Sequence, residues 1–253
     1  MADALVLSLF PGIGLLDMAF ELEGFCVVRG PDVLWGGDVR RFHPPAGRFD
    51  GVIGGPPCQM FSSLAHIVRH NGHQIRFGNL IPEFERCVAA AKPAWFVMEN
   101  VPKAPDPVVD DYAVWTVVLN NRWFGEEQNR VRKWCFGVRG DEPRALMIET
   151  VALENPRFEY AATGAGNRSS LSNGGDPRRK KQAARQLRNN RRSSSVFKKL
   201  CRLQGLPDGF DIEPFTVDAK CKAIGNGVPL PMGRAVARAV AEATETIEPS
   251  VRT

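Results

Sequence analysis

The order of apolar and polar positions predicts alternating strands and helices over the first 140 residues. Short apolar runs predict strands over Ala4–Leu9, Cys26–Val28, Gly51–Ile53, Ala94–Met98, Val114–Leu119 and Lys133–Val138. Apolar residues at helical spacing predict helices over Leu15–Glu23, Glu83–Ala91 and, near the end of the chain, Met232–Thr246. This alternation is typical of an α/β fold with a doubly wound, mostly parallel sheet.

A basic segment interrupts this pattern. Residues 164–202 include 12 Lys or Arg and a single acidic residue, Asp176, in a chain whose net charge is only +5. Such a segment is either a disordered basic linker or an arm that binds phosphates, because Lys and Arg laid on a nucleic-acid backbone release counterions. The globular pattern then resumes. We therefore predict one domain from residues 1–140 and 201–253, with an inserted basic region at 141–200.

Composition narrows the class of protein. The 253 residues are 43% hydrophobic and 24% charged, as in ordinary soluble proteins, and the pI of about 9.0 favours a polyanionic partner. There is no run of 18 apolar residues, so no membrane span is predicted. The six cysteines are scattered without a CxxC pair, which favours a reducing, cytosolic setting. His66, His70 and His73 could form a metal site, but the adjacent Asn71-Gly72 indicates a loop, and we expect no metal.

Glycines and carboxylates follow the first two predicted strands. FPGIG (Phe10–Gly14) comes between a strand and a helix, where glycines let the backbone approach a ligand and expose its amides. Asp32 could accept hydrogen bonds from ribose hydroxyls, and Asp38, in GGD, could face an adenine amino group. Taken singly, each feature is more typical of a packing turn. Taken in this order, they predict a nucleotide-type ligand.

The stretch GGPPCQMFS (Gly54–Ser62) follows the third predicted strand and places two prolines ahead of a thiol. A thiol attacks only as a thiolate, so a nucleophilic cysteine needs a controlled position and environment. Pro56 and Pro57 restrict the backbone and would hold Cys58 beyond a strand end, where open α/β sheets bind ligands. Most cysteines are small buried hydrophobes, but a core cysteine needs no GGPP lead. We favour Cys58 as a nucleophile.

Two further motifs supply a carboxylate and a pair of arginines. In MENV, Glu99 ends the apolar run AWFVM, so we expect it at the carboxyl end of a buried strand, near the loop of Cys58, as a general acid. The alternative is a salt-bridged or capping glutamate. In QNRVR, Arg130 and Arg132 would point the same way from an extended segment. Two convergent guanidiniums suit a carbonyl oxygen or a phosphate; the alternative is two solvated surface arginines.

The order of these motifs resembles that of the C5-cytosine DNA methyltransferases. The similarity runs from about Leu5 to Val240 and includes FPGIG, Asp32, GGD, GGPPCQ, MENV, QNRVR, RLQGLPDGF and AIGNGVPLP. It is interrupted in the basic region, where that family varies. PCQ, ENV and QxRxR in this order and spacing are far more specific than any motif alone. The resemblance implies a Rossmann-like S-adenosylmethionine-dependent methyltransferase domain with a small inserted target-recognition region at 141–200.

The resemblance also implies a role for each motif. Cys58 is similar to the nucleophile that adds to cytosine C6, and Glu99 to the glutamate that protonates or hydrogen-bonds N3. The S-adenosylmethionine pocket would comprise Phe10, Gly12, Gly14, Asp32 and Asp38, closed by Pro57, Leu80 and Asn226. The base would be held by Arg130 and Arg132, and DNA would be bound by Gln59, Ser62, Arg178, Arg179, Lys180 and Lys181. The cytosine would have to leave the duplex, because it cannot be reached from both faces inside the stack.

Three positions depart from the family pattern. Ser8 stands where an acidic residue is usual, Leu15 where a further glycine is usual, and GNGV replaces GNSV or GNAV. None of these changes removes an essential chemical group, but the one at Ser8 could weaken cofactor affinity. The short, basic region at 141–200 would make few base-edge contacts and rely on phosphates, which predicts a short or relaxed target site.

Other functions are compatible with parts of this pattern. An RNA cytosine-5 methyltransferase would share the fold and the motifs, and a catalytically silent nucleic-acid-binding protein would share the charge. A nicotinamide dehydrogenase is suggested only by the glycine turn, which lacks the rest of a GxGxxG fingerprint. We expect a monomeric enzyme that acts on duplex DNA in the cytoplasm, at the nucleoid of a prokaryotic or phage-infected cell. It would have a cognate restriction endonuclease as partner, or none if it is solitary, and no membrane partner.

Replacing Arg178, Arg179, Lys180 and Lys181 with alanine should weaken DNA binding and flatten its salt dependence. If all four side chains contact phosphates, the slope of log K against log salt should fall by about 3.6. Fluorescence anisotropy of labelled duplex at several salt concentrations measures that slope. An unchanged slope would show that these four side chains do not contact the DNA phosphates.

Overall fold

The computed structural model describes residues 4–57, 78–151, 159–160 and 194–245. The strands in these residues are β1 (Leu5–Leu9), β2 (Cys26–Arg29), β3 (Gly51–Gly54), β4 (Trp95–Asn100), β5 (Tyr112–Asn120), β6 (Gln128–Asn129), β7 (Val131–Arg139) and β8 (Glu159–Tyr160). The α-helices are α1 (Leu15–Glu21), α2 (Ile81–Ala91), α3 (Ser194–Leu203), α4 (Val217–Asn226) and α5 (Leu230–Thr244). Short 3₁₀ turns lie at Val33–Trp35, Val39–Arg41 and Asn121–Phe124. Within these ranges, no helix has the length and apolar character needed to cross a bilayer.

The main sheet has six strands in the order β2-β1-β3-β4-β7-β5, which confirms the predicted α/β fold. β1 pairs in parallel with both β2 and β3, and β3 pairs in parallel with β4. β7 is antiparallel to β4. The sheet is therefore mixed, with β7 as an antiparallel partner of β4. The chain between β4 and β7, which the structure describes throughout, contains no α-helix, and a parallel pair would require such a helical crossover.

The central strand β4 is buried along its whole length, as its continuous apolar run predicts. Helix α2 covers part of this core with Ile81, Phe84, Cys87, Val88 and Ala91, which recur at helical spacing. The helix ends at Lys92, which adopts a left-handed conformation with φ of 51° before Pro93.

Two glycines in the sheet make room for aromatic rings on the neighbouring strand. Gly51 on β3 lies opposite Trp95 on β4, and a Cβ at Gly51 would come within 2.3 Å of the indole ring. Gly137 on β7 lies opposite Phe96, and a Cβ there would come within 2.2 Å of the phenyl ring. Each glycine is thus required by the packing of a buried aromatic side chain.

The chain divides into two compact units. The first consists of residues 1–119, 131–149 and 233–253, and the second of residues 120–130 and 150–232. The second unit includes residues 201–232, which the predicted division places with the catalytic domain, and the functional division at 141–200 stays a prediction.

Within the first unit, Glu23 receives hydrogen bonds from two arginines of α5. The Nε of Arg234 lies 2.7 Å from Oε1 of Glu23, and the guanidinium of Arg238 lies 3.3 Å from the same carboxylate. The helix near the end of the chain is therefore tied to the turn that follows α1.

Gly137→Ala should lower the free energy of unfolding by about 1–3 kcal/mol, because the added methyl group overpacks the Phe96 ring. Urea denaturation followed by circular dichroism measures the change. Gly78→Ala is the matched control, because a Cβ at Gly78 would meet nothing within 4 Å. Equal denaturation midpoints for the two variants would contradict the proposed packing role.

Candidate active site

The site lies where the strand order reverses. The chain leaves β1 to form β2 on one side and later returns to form β3 on the other, so a crevice opens at the carboxyl ends of β1 and β3. FPGIG follows β1, and GGPP begins at the last residue of β3. A Cβ on Gly54 would lie 2.8 Å from the carbonyl oxygen of Leu9, so the two strand ends approach as closely as glycine allows.

The FPGIG loop has an unusual backbone. Phe10, Gly12 and Gly14 all have positive φ, at 58°, 56° and 80°. For Phe10 this is a rare and strained conformation, of the kind that concentrates at binding sites. A Cβ at Gly12 would meet nothing within 4 Å, so the backbone at Gly12 faces open space. The loop therefore presents main-chain atoms to whatever occupies the crevice.

Asp32 joins this loop to the segment after β2. Its Oδ2 accepts the N–H of Gly12 at 3.0 Å, and its Oδ1 accepts the N–H of Leu34 at 2.7 Å. Trp35 donates from its indole N–H to the carbonyl oxygen of Gly12 at 2.7 Å, although 58% of the residue is exposed. Sequence reasoning missed Trp35, whose only signal was an apolar residue in a glycine-rich turn. An exposed aromatic ring beside a carboxylate suits an adenosine.

The other predicted cofactor residues lie in different surroundings. Asp38 accepts three hydrogen bonds from the Arg40 guanidinium, and these hold the pKa of Asp38 below its ordinary value. Leu80 is the N-cap residue of α2 and is half-buried, as is Pro57 at the end of the GGPP stretch. Asn226 belongs to the second unit, where it is exposed at the end of α4.

Glu99 lies near the carboxyl end of β4, as predicted, and is 9% exposed. Its Oε1 forms an ion pair with Nε of Arg132 at 2.7 Å. Its Oε2 points towards Gly55, where a Cβ would come within 3.3 Å of that oxygen. One carboxylate oxygen is thus held by an arginine, and the other faces the stretch that leads to Cys58.

Asn100, the next residue, holds the same stretch from a buried position. Its Nδ2 donates to the carbonyl oxygen of Pro56 at 3.2 Å, and its Oδ1 accepts the N–H of Val101 at 2.9 Å. Only 2% of Asn100 is exposed. Sequence reasoning noted Glu99 but missed Asn100, although a polar residue that ends a buried strand is a usable signal.

Arg130 belongs to the second unit and Arg132 to the first, and the convergence of their guanidiniums stays a prediction. Arg130 is 2% exposed, and its guanidinium donates to the carbonyl oxygens of Gly225 and Gly227 within the second unit. The strand pattern breaks at Arg130, whose N–H donates to the carbonyl oxygen of Gln128 at 3.0 Å. Because this tight turn interrupts the strand, the simple alternation of side chains does not extend through Arg130.

Several predicted site residues lie outside the described residues. They are Cys58, Gln59, Ser62, Arg178, Arg179, Lys180 and Lys181, together with the histidine cluster at 66, 70 and 73. In the parts of the chain that the structure describes, no group of three His, Cys, Asp or Glu side chains could hold a metal ion.

Three buried cysteines of the described ranges are poor nucleophiles. Burial raises the pKa of Cys135 and of Cys201 to about 11, and burial also raises the pKa of Cys87 above its ordinary value. These thiols stay protonated near neutral pH, and a thiol attacks only as the thiolate. They behave as small core residues.

Comparison with known families agrees with this geometry. The profile of the C-5 cytosine-specific DNA methylase family matches residues 36–190, which is more than half of the chain. The chain belongs to this family. The GGPPC, MENV and QNRVR motifs all fall within the matched residues.

Curated relatives of this family member include bacterial and phage proteins. A type II methyltransferase, M.NgoFVII of Neisseria gonorrhoeae, is 34% identical over 54% of this chain and 44% of its own length. The orphan methyltransferase M.SPRI of Bacillus phage SPR is 28% identical over 56% of this chain and 39% of its own. The chain therefore spans less than half the length of either relative.

A solved structure shares the fold over nearly the whole chain. It is a protein encoded within an Escherichia coli prophage and assigned as a DNA modification methyltransferase. The two structures superpose with a TM-score of 0.61 over 95% of this family member and 99% of the other, at 19% sequence identity. At that identity the likeness shows the fold alone, which is the predicted Rossmann-like methyltransferase fold.

Glu99→Gln should lower the rate of methyl transfer by about 10²- to 10⁴-fold, the usual contribution of a general acid. The amide keeps the shape but cannot donate a carboxyl proton, and it loses the charge that pairs with Arg132. Single-turnover incorporation of labelled methyl groups into duplex DNA measures the rate. Glu83→Gln is the matched control, because Glu83 also pairs with one arginine, Arg86, at 2.8 Å. Equal rates in the two variants would show that Glu99 does not act on the base.

Proposed function

We propose that this chain is a DNA (cytosine-5-)-methyltransferase that uses Cys58 as the nucleophile and Glu99 as the acid. The observation that carries the proposal is the arrangement at the end of β4. There Glu99 directs Oε2 towards Gly55, and Asn100 binds the carbonyl of Pro56. One strand end thus controls both the acid and the segment that leads to the thiol. Membership of the C-5 cytosine-specific family supports the same chemistry.

The residues of the crevice fit S-adenosylmethionine as the cofactor. Asp32 offers a half-exposed carboxylate of the kind that accepts ribose hydroxyls, and Trp35 offers an exposed ring for the adenine. The open space at Gly12 leaves room for a ligand against the main chain. Bound there, S-adenosylmethionine would supply an electrophilic methyl group. Phe10, Gly14, Asp38, Pro57, Leu80 and Asn226 remain proposed members of its pocket.

The chain's own groups would then activate the cytosine. The Cys58 thiolate adds to C6 and forms a carbon–sulfur bond, and N3 takes up the displaced electron density while Glu99 donates a proton or a hydrogen bond to it. C5 thereby becomes nucleophilic enough to be methylated. After methyl transfer a base removes the C5 proton, and the electrons of that C–H bond re-form the C5–C6 double bond and expel the Cys58 thiolate, which restores the aromatic ring. Arg132 would fix the orientation of Glu99 through the 2.7 Å ion pair.

Duplex DNA is the proposed substrate. The 12 Lys or Arg residues between positions 164 and 202 support it, because basic segments of this density bind polyanions. Type II and orphan methyltransferases both occur among the relatives, so the choice between a partner endonuclease and a solitary role rests on neighbouring genes. The monomeric state and the cytoplasmic location stay predictions.

Duplex DNA that contains 5-fluorocytosine should trap a covalent complex when S-adenosylmethionine is present. The fluorine cannot leave as the C5 proton does, so the bond between Cys58 and C6 should persist through denaturation. A denaturing gel with labelled DNA measures the adduct. Cys58→Ala should abolish the adduct and keep DNA binding, while Cys135→Ala is the matched control because Cys135 is fully buried.

Each outcome of this experiment decides between functions. An adduct on fluorinated transfer RNA but not on DNA would replace the proposal with the RNA enzyme. DNA binding without any adduct would favour a silent binding protein. A full yield of adduct from the Cys58→Ala variant would refute the assignment of the nucleophile.

A further inference from the structure

Asp17 is a buried carboxylate that the proposed reaction does not use. It lies in the first turn of α1 and has no exposed surface. Its Oδ1 accepts the hydroxyl of Ser8 at 2.5 Å, and its Oδ2 accepts Nε of Arg29 at 2.8 Å. Burial raises the pKa of Asp17 above its ordinary value, although Ser8 and Arg29 act in the opposite direction. A buried carboxylate is tolerated only when both oxygens are satisfied, as they are here.

The three side chains come from three elements that surround the FPGIG loop. Ser8 is the last residue but one of β1, Asp17 belongs to α1, and Arg29 ends β2. The main chain adds a further link, because the N–H of Gly30 donates to the carbonyl oxygen of Ser8 at 2.8 Å. The network thus joins β1, which precedes the FPGIG loop, to α1, which follows it.

Arg29 also contacts the loop directly. A Cβ on Gly14 would lie 2.7 Å from Nη2 of Arg29, so the guanidinium packs against the last residue of the loop. The Arg29 side chain is nevertheless 54% exposed. Asp17 therefore fixes a partly solvated arginine at one position instead of burying an isolated ion pair.

The loop needs support from outside because its own conformation is strained. Phe10 has a φ of 58°, which is strained for a residue other than glycine, and strained residues persist only when their surroundings hold them in place. On one side, Asp32 and Trp35 bind Gly12. On the other side, the Ser8–Asp17–Arg29 network supports both ends of the loop.

We propose that Ser8, Asp17 and Arg29 form a positioning network that holds the FPGIG loop in the conformation that binds S-adenosylmethionine. This inference rests on the proposed function. None of the three is a catalytic residue, so their loss affects the binding of the cofactor and leaves the chemical step unchanged. Through this network, Asp17 on α1 influences the affinity for the cofactor.

The test is the Asp17→Asn variant. Asparagine keeps the size of the side chain but removes the charge that holds Arg29. We expect the dissociation constant for S-adenosylhomocysteine to rise about tenfold by isothermal titration calorimetry. The KM for S-adenosylmethionine should rise to the same extent, and kcat at saturating cofactor should stay within about twofold of the original.

Two further variants keep the test decisive. Arg29→Met removes the cation from a half-exposed position and should weaken binding to a similar extent. The Ser8→Asp/Asp17→Ser double variant moves the carboxylate to the other end of the 2.5 Å hydrogen bond and should recover most of the affinity. Glu21→Gln is the matched control, because Glu21 lies on the same helix and 3.8 Å from Arg29 but is 44% exposed. It should bind as the unaltered chain does.

The outcomes separate the network from the function on which it rests. Failure of the unaltered chain to bind S-adenosylhomocysteine would contradict the proposed function itself. If the unaltered chain binds normally, and Asp17→Asn and Arg29→Met lower the melting temperature without changing the affinity, the network only stabilises the fold and the proposal is wrong. A fall in kcat without a change in KM would also overturn the proposal.

Discussion

The parallel pairing of β1 with both β2 and β3 is the constraint on which the candidate site depends. It brings the FPGIG and GGPP stretches to one edge of the sheet, because parallel strands end on the same side. The separation is small enough that Gly54 and the carbonyl of Leu9 leave no room for a Cβ. A ligand bound by one stretch is therefore close to any group carried by the other, without a long loop to bring them together.

β4 extends this edge with a carboxylate and an amide on consecutive residues. Neighbouring side chains on a strand usually point to opposite faces, yet Glu99 faces Gly55 and Asn100 binds the carbonyl of Pro56. The GGPP stretch is thus engaged on both sides of the strand end. Prolines cannot donate backbone hydrogen bonds, so the carbonyl of Pro56 is a natural point at which to hold the segment. The prolines restrict the backbone of the GGPP stretch, and the Asn100 amide holds it through the carbonyl of Pro56.

Sequence reasoning succeeded where local pattern and chemistry agree. Apolar runs located the strands within a residue or two, and the position of Glu99 followed from the end of one of them. At Arg130, a single tight turn after Gln128 breaks the alternation of side chains on which the prediction of convergence relied, and that convergence stays a prediction. Sequence reasoning passed over Asp17 and Asn100, since the value of a buried polar residue depends on partners that are distant in sequence. Ser8 and Arg29 lie 9 and 12 residues from Asp17, and Pro56 lies 44 residues from Asn100.

Each of these buried polar residues holds an irregular stretch of main chain, either directly or through a side chain that packs against it. Asn100 binds the GGPP stretch, Arg130 binds the carbonyls at the end of α4, and Asp17 holds the arginine that packs on Gly14. An apolar residue could fill the same volume and would often cost less to bury. It could not satisfy a carbonyl or an N–H in a loop that has no strand or helix partner. Buried polarity is therefore found where the chain must be irregular, and irregular backbone is what a binding site at a sheet edge requires.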